Sequence, residues 1–196
     1  MSGPEVKRKF EADLNRVKDA IVAASEHYNI WYIYKNKDDR PKYVKVMNRY
    51  LGFFRPSISA QFTAILLTLS KILGKNTKNN RISMYSLVGS AQKHSLIKPS
   101  KLQEIRNQLC ETAEMVKNLQ VLRNNVFAHL GNLDTEKAFA RAGISPNDLK
   151  KLIDSSISIL RSIYYAYDRG DFAFDYHSKN DTYSLLNDLQ ESKANC

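Results

Sequence analysis

Apolar residues recur every three or four positions along most of the chain, and this spacing predicts α-helices. The most regular stripe lies in the middle of the chain and is closed by Gly131, a residue typical of helix C-termini. Its apolar members are Leu102, Ile105, Leu109, Ala113, Val116, Leu119, Leu122, Val126 and Leu130. We therefore expect one long helix over about residues 99–130.

Further helices are predicted on both sides of this stripe. One begins at Pro4, another follows Pro41, and a third has Pro56 in its first turn. Ser83 and the SPND segment at 145–148 are typical helix starts, and shorter helices are indicated at 135–142 and 182–189. The sequence shows no strand-period segment of useful length, no repeat and no linker. It predicts an all-α, single-domain helical bundle over 1–196, with a polar C-terminal tail over about 171–196.

Composition fits a globular chain with one buried core, since 43% of the 196 residues are hydrophobic and 26% are charged. Thirty Lys and Arg against twenty Asp and Glu give a net charge of +10, which attracts polyanions without specifying which. The charged N-terminus, the absence of a long unbroken apolar run and two cysteines far apart, Cys110 and Cys196, favour a cytoplasmic protein with no membrane partner.

Several kinds of chemistry have no counterpart in the sequence. It lacks a glycine-rich phosphate loop, an HExxH motif and any Cys/His pair with metal-ligand spacing. We therefore expect no cofactor and no metal, so that any catalysis must depend on a small set of side chains.

One segment combines suitable side chains, the sequence LQVLRNNVFAHLG at 119–131. At 100° per residue, Arg123 and His129 lie about 60° to either side of Val126, at the two borders of the apolar stripe. Asn124 and Asn125 have low helix propensity for positions inside a helix. Something other than local helix stability is expected to keep these polar residues there.

The RNNVFAH segment at 123–129 resembles the signature of the HEPN superfamily, in which an Arg and a polar residue precede a His near the end of a long helix. The flanking layout is similar to the abortive-infection AbiU-type branch, where an LxLSKIL helix and a short Ser-initiated helix come before the motif. The corresponding pieces here are TAILLTLSKILG, SMYSLVGSA and VLRNNVFAHLGN. The resemblance covers roughly residues 45–170.

This resemblance implies a homodimer in which two copies of the motif line one cleft. It also implies a metal-independent endoribonuclease that acts as a toxin or phage-defence effector, with an RNA substrate and a possible antitoxin or regulatory partner. The residue types suit this reaction, because His129 can exchange a proton near neutral pH and Arg123 can hold phosphate oxygens. Asn124 would orient the phosphate or His129.

Other interpretations stay open. Arg123 can be an ordinary surface arginine, and His129 can cap a helix C-terminus. The chain can be a catalytically silent HEPN module that binds RNA, nucleotide or a protein partner, or a basic helical DNA-binding protein, although no helix-turn-helix is visible. Some HEPN toxins also have a Tyr two residues after the His, where this chain has Gly131, so control by modification at that position is in doubt.

Two further groups of residues suggest contacts with RNA. The aromatic sets Trp31, Tyr32, Tyr34 and Tyr164, Tyr165, Tyr167 can stack on bases, but on apolar helices we expect them in the core or in a dimer contact. The basic loop residues Lys75, Lys78 and Arg81 are expected to be solvated, and are a first candidate for phosphate contacts if RNA binds.

Overall fold

A computed structural model describes residues 3–75, 82–128, 135–173 and 177–192. In this part of the chain the helices are α1 (Gly3–Lys35), α2 (Arg40–Arg49), α3 (Leu51–Leu73), α4 (Met84–Lys93), α5 (Pro99–Glu111), α6 (Ala113–Ala128), α7 (Thr135–Ala142), α8 (Pro146–Ala166) and α9 (Ser178–Glu191). No strand occurs among these described residues, which confirms the predicted all-α class.

Two of the predicted helix N-termini are capped by reciprocal hydrogen bonds. Ser83 Oγ accepts from the Ser86 amide at 3.2 Å, and Ser86 Oγ accepts from the Ser83 amide at 2.8 Å. At the start of α8, Ser145 Oγ accepts from the Asp148 amide at 3.2 Å, and Asp148 Oδ2 accepts from the Ser145 amide at 3.0 Å. These bonds satisfy amides that the first helical turn leaves without partners, so short sequence signals were enough to locate both starts.

The single long helix predicted over about residues 99–130 is wrong, because the chain breaks at Thr112 into α5 and α6. Thr112 is 4% exposed and its Oγ1 donates to the Leu109 carbonyl at 2.9 Å. Ala113, the expected core residue, is exposed instead. A buried threonine hydroxyl needs an acceptor, and its bond to a carbonyl of the preceding turn competes with the regular helix ladder.

The start of α3 also differs from the prediction, because Pro56 lies inside the helix and not in its first turn. The Tyr50 carbonyl accepts from the Phe53 and Phe54 amides at 2.9 and 3.0 Å, so the helix is already formed before Pro56. Proline has no amide hydrogen to offer the Gly52 carbonyl. Gly52 and Pro56 are both exposed, so water can reach the carbonyl that is left over.

Contacts between Cα atoms group the chain into two compact units, Met1–Ile21 with Leu66–Ala173, and Val22–Ile65 with Phe174–Cys196. The single-domain organisation therefore stays a prediction. The core of the first unit is formed mainly by aliphatic side chains. Its fully buried members include Leu14, Leu69, Leu119, Leu122, Leu149, Leu152 and Leu160.

The second unit has a more aromatic core. Its buried cluster consists of Ile33, Tyr34, Tyr43, Val46, Met47, Phe54 and Leu186. Trp31 stacks on Phe62 with ring centroids 5.2 Å apart. Leu186 belongs to α9, which extends over more residues than the predicted 182–189, so part of the polar tail contributes to this core.

By length and composition alone, α3 is apolar enough to cross a membrane, with a mean hydropathy of 1.2 over its most apolar window. Counting unbroken apolar runs had not revealed this. Several apolar residues of this helix are buried in the protein, namely Phe54, Phe62, Ile65, Leu66, Leu69, Ile72 and Leu73, whereas Leu51, Phe53 and Leu67 are exposed. A core helix of a soluble protein has the same composition, and the cytoplasmic location stays a prediction.

Candidate functional site

The motif-bearing helix α6 is anchored through one apolar face. Leu119, Leu122 and Val126 are buried on that face, and α6 packs against α7 and α8. On the same helix Asn118 Nδ2 donates to the Gly143 carbonyl at 3.1 Å. Gly143 has a φ of +61°, a conformation that glycine adopts without a steric penalty, so the turn after α7 can approach Asn118.

Arg123 lies at the border of this buried face, as its spacing from Val126 predicts, and its side chain is partly exposed. The adjacent Asn124 is exposed, and its Oδ1 accepts from Arg123 Nη2 at 2.9 Å and from Nε at 3.3 Å. One amide oxygen therefore holds one edge of the guanidinium group. Its remaining N–H groups are left to face an anion, a role that suits the planar donor arrangement of arginine.

The structure brings Arg123 and Asn124 together, and its description of α6 ends at Ala128. His129 and Gly131 lie outside the described residues. The pairing of Arg123 with His129 across the Val126 stripe, and the orienting contact from Asn124 to His129, therefore stay predictions.

The comparison with protein families shows to which family the chain belongs. The sequence profile of the AbiU2 family of HEPN proteins matches residues 6–186. The chain belongs to the AbiU2 family. The match is wider than residues 45–170, where the resemblance was noted, and it includes most of α1 and most of α9. No curated protein and no solved structure matches the chain.

The aromatic residues of this AbiU2-family chain divide into two groups. Trp31, Tyr34 and Tyr164 are buried, which confirms the expectation that they belong to the core. Tyr165 is 58% exposed and does not belong to the core, so for this residue the expected alternative, a dimer contact, stays a prediction. The signal that would have identified it is the polar stripe of α8, because Tyr165 continues the exposed series Lys151, Asp154, Ser158 and Arg161 at helical spacing.

The basic loop was proposed as a site of phosphate contacts. Lys75 is exposed, whereas Lys78 and Arg81 lie outside the described residues. The structure brings together a different group of cations. Lys7, Lys98, Lys101, Arg106 and Arg169 line two neighbouring clefts in the first unit. They are far apart in the sequence, and spacing alone gives no reason to group them.

Proposed function

We propose that this AbiU2-family chain is a metal-independent endoribonuclease that acts as a toxin or phage-defence effector. The RNA 2′-hydroxyl attacks the neighbouring phosphate and displaces the 5′-oxygen of the next nucleotide. The RNA strand is thereby cut, with a 2′,3′-cyclic phosphate on one product and a 5′-hydroxyl on the other. Family membership supports the HEPN character and the link to abortive infection. The net charge of +10 favours encounter with RNA.

In this mechanism His129 takes the proton from the 2′-hydroxyl or returns one to the leaving 5′-oxygen, tasks for which imidazole is suited near neutral pH. Arg123 binds the non-bridging phosphate oxygens and stabilises the charge that develops on them in the transition state. Asn124 acts on the guanidinium and not on the substrate. By accepting two N–H groups of Arg123, it fixes the plane in which the remaining donors point.

The observation that carries the proposal is this Arg123–Asn124 arrangement at the border of a buried helix face. Asn124 has a low helix propensity for a position inside a helix, so helix stability does not explain its presence there. In the part of the chain that the structure describes, Arg123 bonds to a neutral neighbour and forms no ion pair with a carboxylate. This supports a role for its positive charge in binding a phosphate.

We propose that the active form is a homodimer with the two α6 helices near the two-fold axis. One motif supplies few groups for a phosphate, whereas two copies supply two Arg and two His. Val121, one turn before Asn125 on α6, is a large apolar side chain that is 39% exposed. Its burial against a second copy would remove that apolar surface from water.

The test is an RNA-cleavage assay with EDTA on the full chain, wild type against His129→Ala. We expect cleavage by the wild type in EDTA, products ending in a cyclic phosphate, and a loss of at least about 10²-fold in His129→Ala. The exposed His177 provides a matched control, and His177→Ala should cleave like the wild type. Activity that vanishes in EDTA and returns with one divalent ion would overturn the mechanism. RNA binding without cleavage would favour the silent-module alternative.

A further inference from the structure

A groove in the first unit lies between the N-terminal part of α1, the α4–α5 connection and the C-terminal end of α8. It consists of one cleft of about 900 Å³ and a second of about 600 Å³. Lys98, Ala166 and Asp168 line both clefts, so the two clefts are neighbours on the surface. Each volume falls in the range of about 300–1,000 Å³ that suits a small organic ligand or a nucleotide unit.

The groove carries an excess of positive charge. Two of its cations are neutralised, because Arg169 Nη2 lies 2.6 Å from Glu11 Oε2 and Lys101 Nζ lies 2.7 Å from Glu104 Oε2. Arg106 donates to the neutral side chain of Gln92, and no carboxylate among the described residues forms an ion pair with it.

Lys7 and Lys98, both exposed, form no ion pair with any residue in the described ranges. Asp168 is the remaining carboxylate of the lining. With five cations against three carboxylates in its lining, the groove attracts an anion with several charges, such as a chain of phosphates.

An exposed aromatic ring stands at one end of the groove. Tyr165 lines the smaller cleft and is 58% exposed. Near the ring, Asp171 Oδ1 lies 3.2 Å from Arg161 Nε, and the Asp171 carboxylate raises the pKa of Tyr165 after the larger effect of burial. The ring itself stays uncovered. Lys98, which forms no ion pair in the described ranges, lines the same cleft. An uncovered ring near a free cation is the arrangement on which single-stranded nucleic acids stack a base.

Two connections that border the groove adopt a left-handed backbone conformation. Ser95 has a φ of 51° and Asp168 a φ of 63°, and both line the larger cleft. They follow the ends of α4 and α8, and the amide after each of them donates to a carbonyl of the last helical turn, at 2.9 and 3.0 Å. Helix termination therefore accounts for the conformation, and these bonds fix the shape of this part of the wall.

We propose that this groove binds single-stranded RNA at a site separate from the Arg123 motif, with phosphates at Lys7, Lys98 and Arg106 and a base stacked on Tyr165. The inference rests on the proposed function only in naming RNA as the ligand, since none of these residues takes part in the cleavage step. A duplex fits poorly, because its bases are already stacked on one another and cannot reach the ring. The groove would hold the substrate while an adjoining part of the same strand is cut.

The experiment measures binding of a labelled 12-nucleotide single-stranded RNA by fluorescence anisotropy, on the full chain carrying His129→Ala, at several salt concentrations. In this background Tyr165→Ala should weaken binding at least about five-fold, the effect of losing one base–aromatic stack. Tyr165→Phe, which keeps the ring, should bind within about two-fold of the parent. Phe53→Ala removes an aromatic ring with the same 58% exposure and should have no effect.

The charge contribution is tested with Lys7→Ala/Lys98→Ala. Loss of two phosphate contacts should reduce the slope of log Kd against log salt by about 1.4, at about 0.7 per phosphate of a single strand. Lys9→Ala/Lys117→Ala removes the same charge from exposed positions outside the groove and should keep the slope. Melting temperatures of all variants confirm that they are folded.

The proposal is overturned if the parent does not bind the RNA, if the groove variants bind like the parent, or if the control variants weaken binding as much. It is equally overturned if duplex RNA or inorganic polyphosphate binds as tightly as the single strand and competes for it, because charge alone then explains the interaction. Cleavage is not read in this assay. A wild-type chain that fails to cut RNA would refute the ribonuclease and leave these binding results unaffected.

Discussion

Asparagine side chains are used in opposite ways at two places in this chain, the junction between α1 and α2 and the end of α6. At the junction Asn36 is 8% exposed, and its amide is fully used. Its Oδ1 accepts from the Asp38 and Asp39 amides at 2.9 and 2.7 Å, and its Nδ2 donates to the Tyr32 carbonyl and to Asp39 Oδ2 at 2.9 and 2.8 Å. Asn124 is exposed and bonds to its neighbour Arg123.

The difference teaches how to distinguish polar residues that hold the fold from those that are available to a ligand. A buried amide with every donor and acceptor paired stabilises the turn, because losing it leaves other buried groups without partners. An exposed amide on a helix loses little to water, and its bond to Arg123 fixes a charged group that faces outward. The two asparagines differ in burial and in how many of their hydrogen-bonding groups are paired, although the residue type is the same.

The largest effect is expected from Arg123→Ala. Without the guanidinium the developing phosphate charge is not stabilised, so RNA cleavage should fall at least about 10²-fold while the free energy of unfolding changes by less than about 1 kcal/mol. Arg141→Ala is the matched control, since Arg141 is exposed on α7 and its loss removes the same charge. Single-turnover cleavage and melting temperature are measured for both. Equal activity of the two variants would make Arg123 an ordinary surface arginine.

The two asparagines can be exchanged for alanine as a direct test of the comparison. Asn36→Ala should lower the free energy of unfolding by about 1–3 kcal/mol, because it leaves the Asp38 and Asp39 amides without their acceptor. Asn124→Ala should change it by less than about 0.5 kcal/mol but reduce cleavage, since Arg123 loses its support. Urea unfolding gives the first quantity and the cleavage assay the second. The reverse pattern would contradict the distinction drawn here.

The variant Val126→Ala tests the buried face of the motif helix α6. Val126 is 6% exposed, and Val126→Ala should cost about 1–2 kcal/mol through a cavity, which lowers the melting temperature by several degrees in a chain of this size. Cleavage by the folded fraction should persist, because no reacting group is removed. Val121→Ala, on the exposed face of the same helix, is the control and should leave the unfolding free energy of the monomer nearly unchanged.

The smallest effect concerns pH and the packing of α9 on α2. The hydrogen bond from Tyr183, 2.7 Å from Asp39 Oδ2, is the largest cause that holds the pKa of Asp39 below its usual value of 3.8, and bonds from Asn36 and Lys42 act in the same direction against burial. Burial, and after it the bond to Asp39, raises the pKa of Tyr183 to about 12.

Because the folded pKa of Asp39 is lowered, its stabilising contribution is present above pH 3.8 and is lost as the pH falls through the folded value. The difference in unfolding free energy between the wild type and Asp39→Asn should therefore be constant near neutral pH and shrink below that point. Hydrogen exchange of the α9 amides at pH 6 and at pH 3 measures it locally. A difference that grows on acidification would contradict a lowered pKa of Asp39 in the folded protein.

Much of the fold could be predicted because the deciding signals are local. The caps at Ser83 and Ser145 need only three further residues, and the helical class needs only apolar spacing. The helix break at Thr112 could not be predicted, since Leu109 can be followed on the apolar stripe by either Thr112 or Ala113. Both choices preserve the helical period, and only contact with the rest of the core selects between them.

The candidate site shows the same limit. Arg123 and Asn124 were identified because they are neighbours in the sequence and stand in a recognisable pattern. The run of tyrosines at 164, 165 and 167 gave one common expectation, the core or a dimer contact, although the position of Tyr165 relative to Arg161 puts it on the outer face of α8. A single residue step turns a helical side chain by about 100°, so a run of similar residues says little about which one is buried.

The sequence by itself determined the all-α class, the family and the position of the Arg123 motif at the border of an apolar stripe. Those features depend on hydrogen bonds and side-chain spacings that reach no further than about one helical turn. The tertiary structure decided where the long helix breaks, that Tyr165 is exposed, and that Lys7, Lys98 and Arg106 share one groove. These depend on which distant segments pack together to bury apolar surface, and residues so far apart in the chain acquire a common function only through that packing.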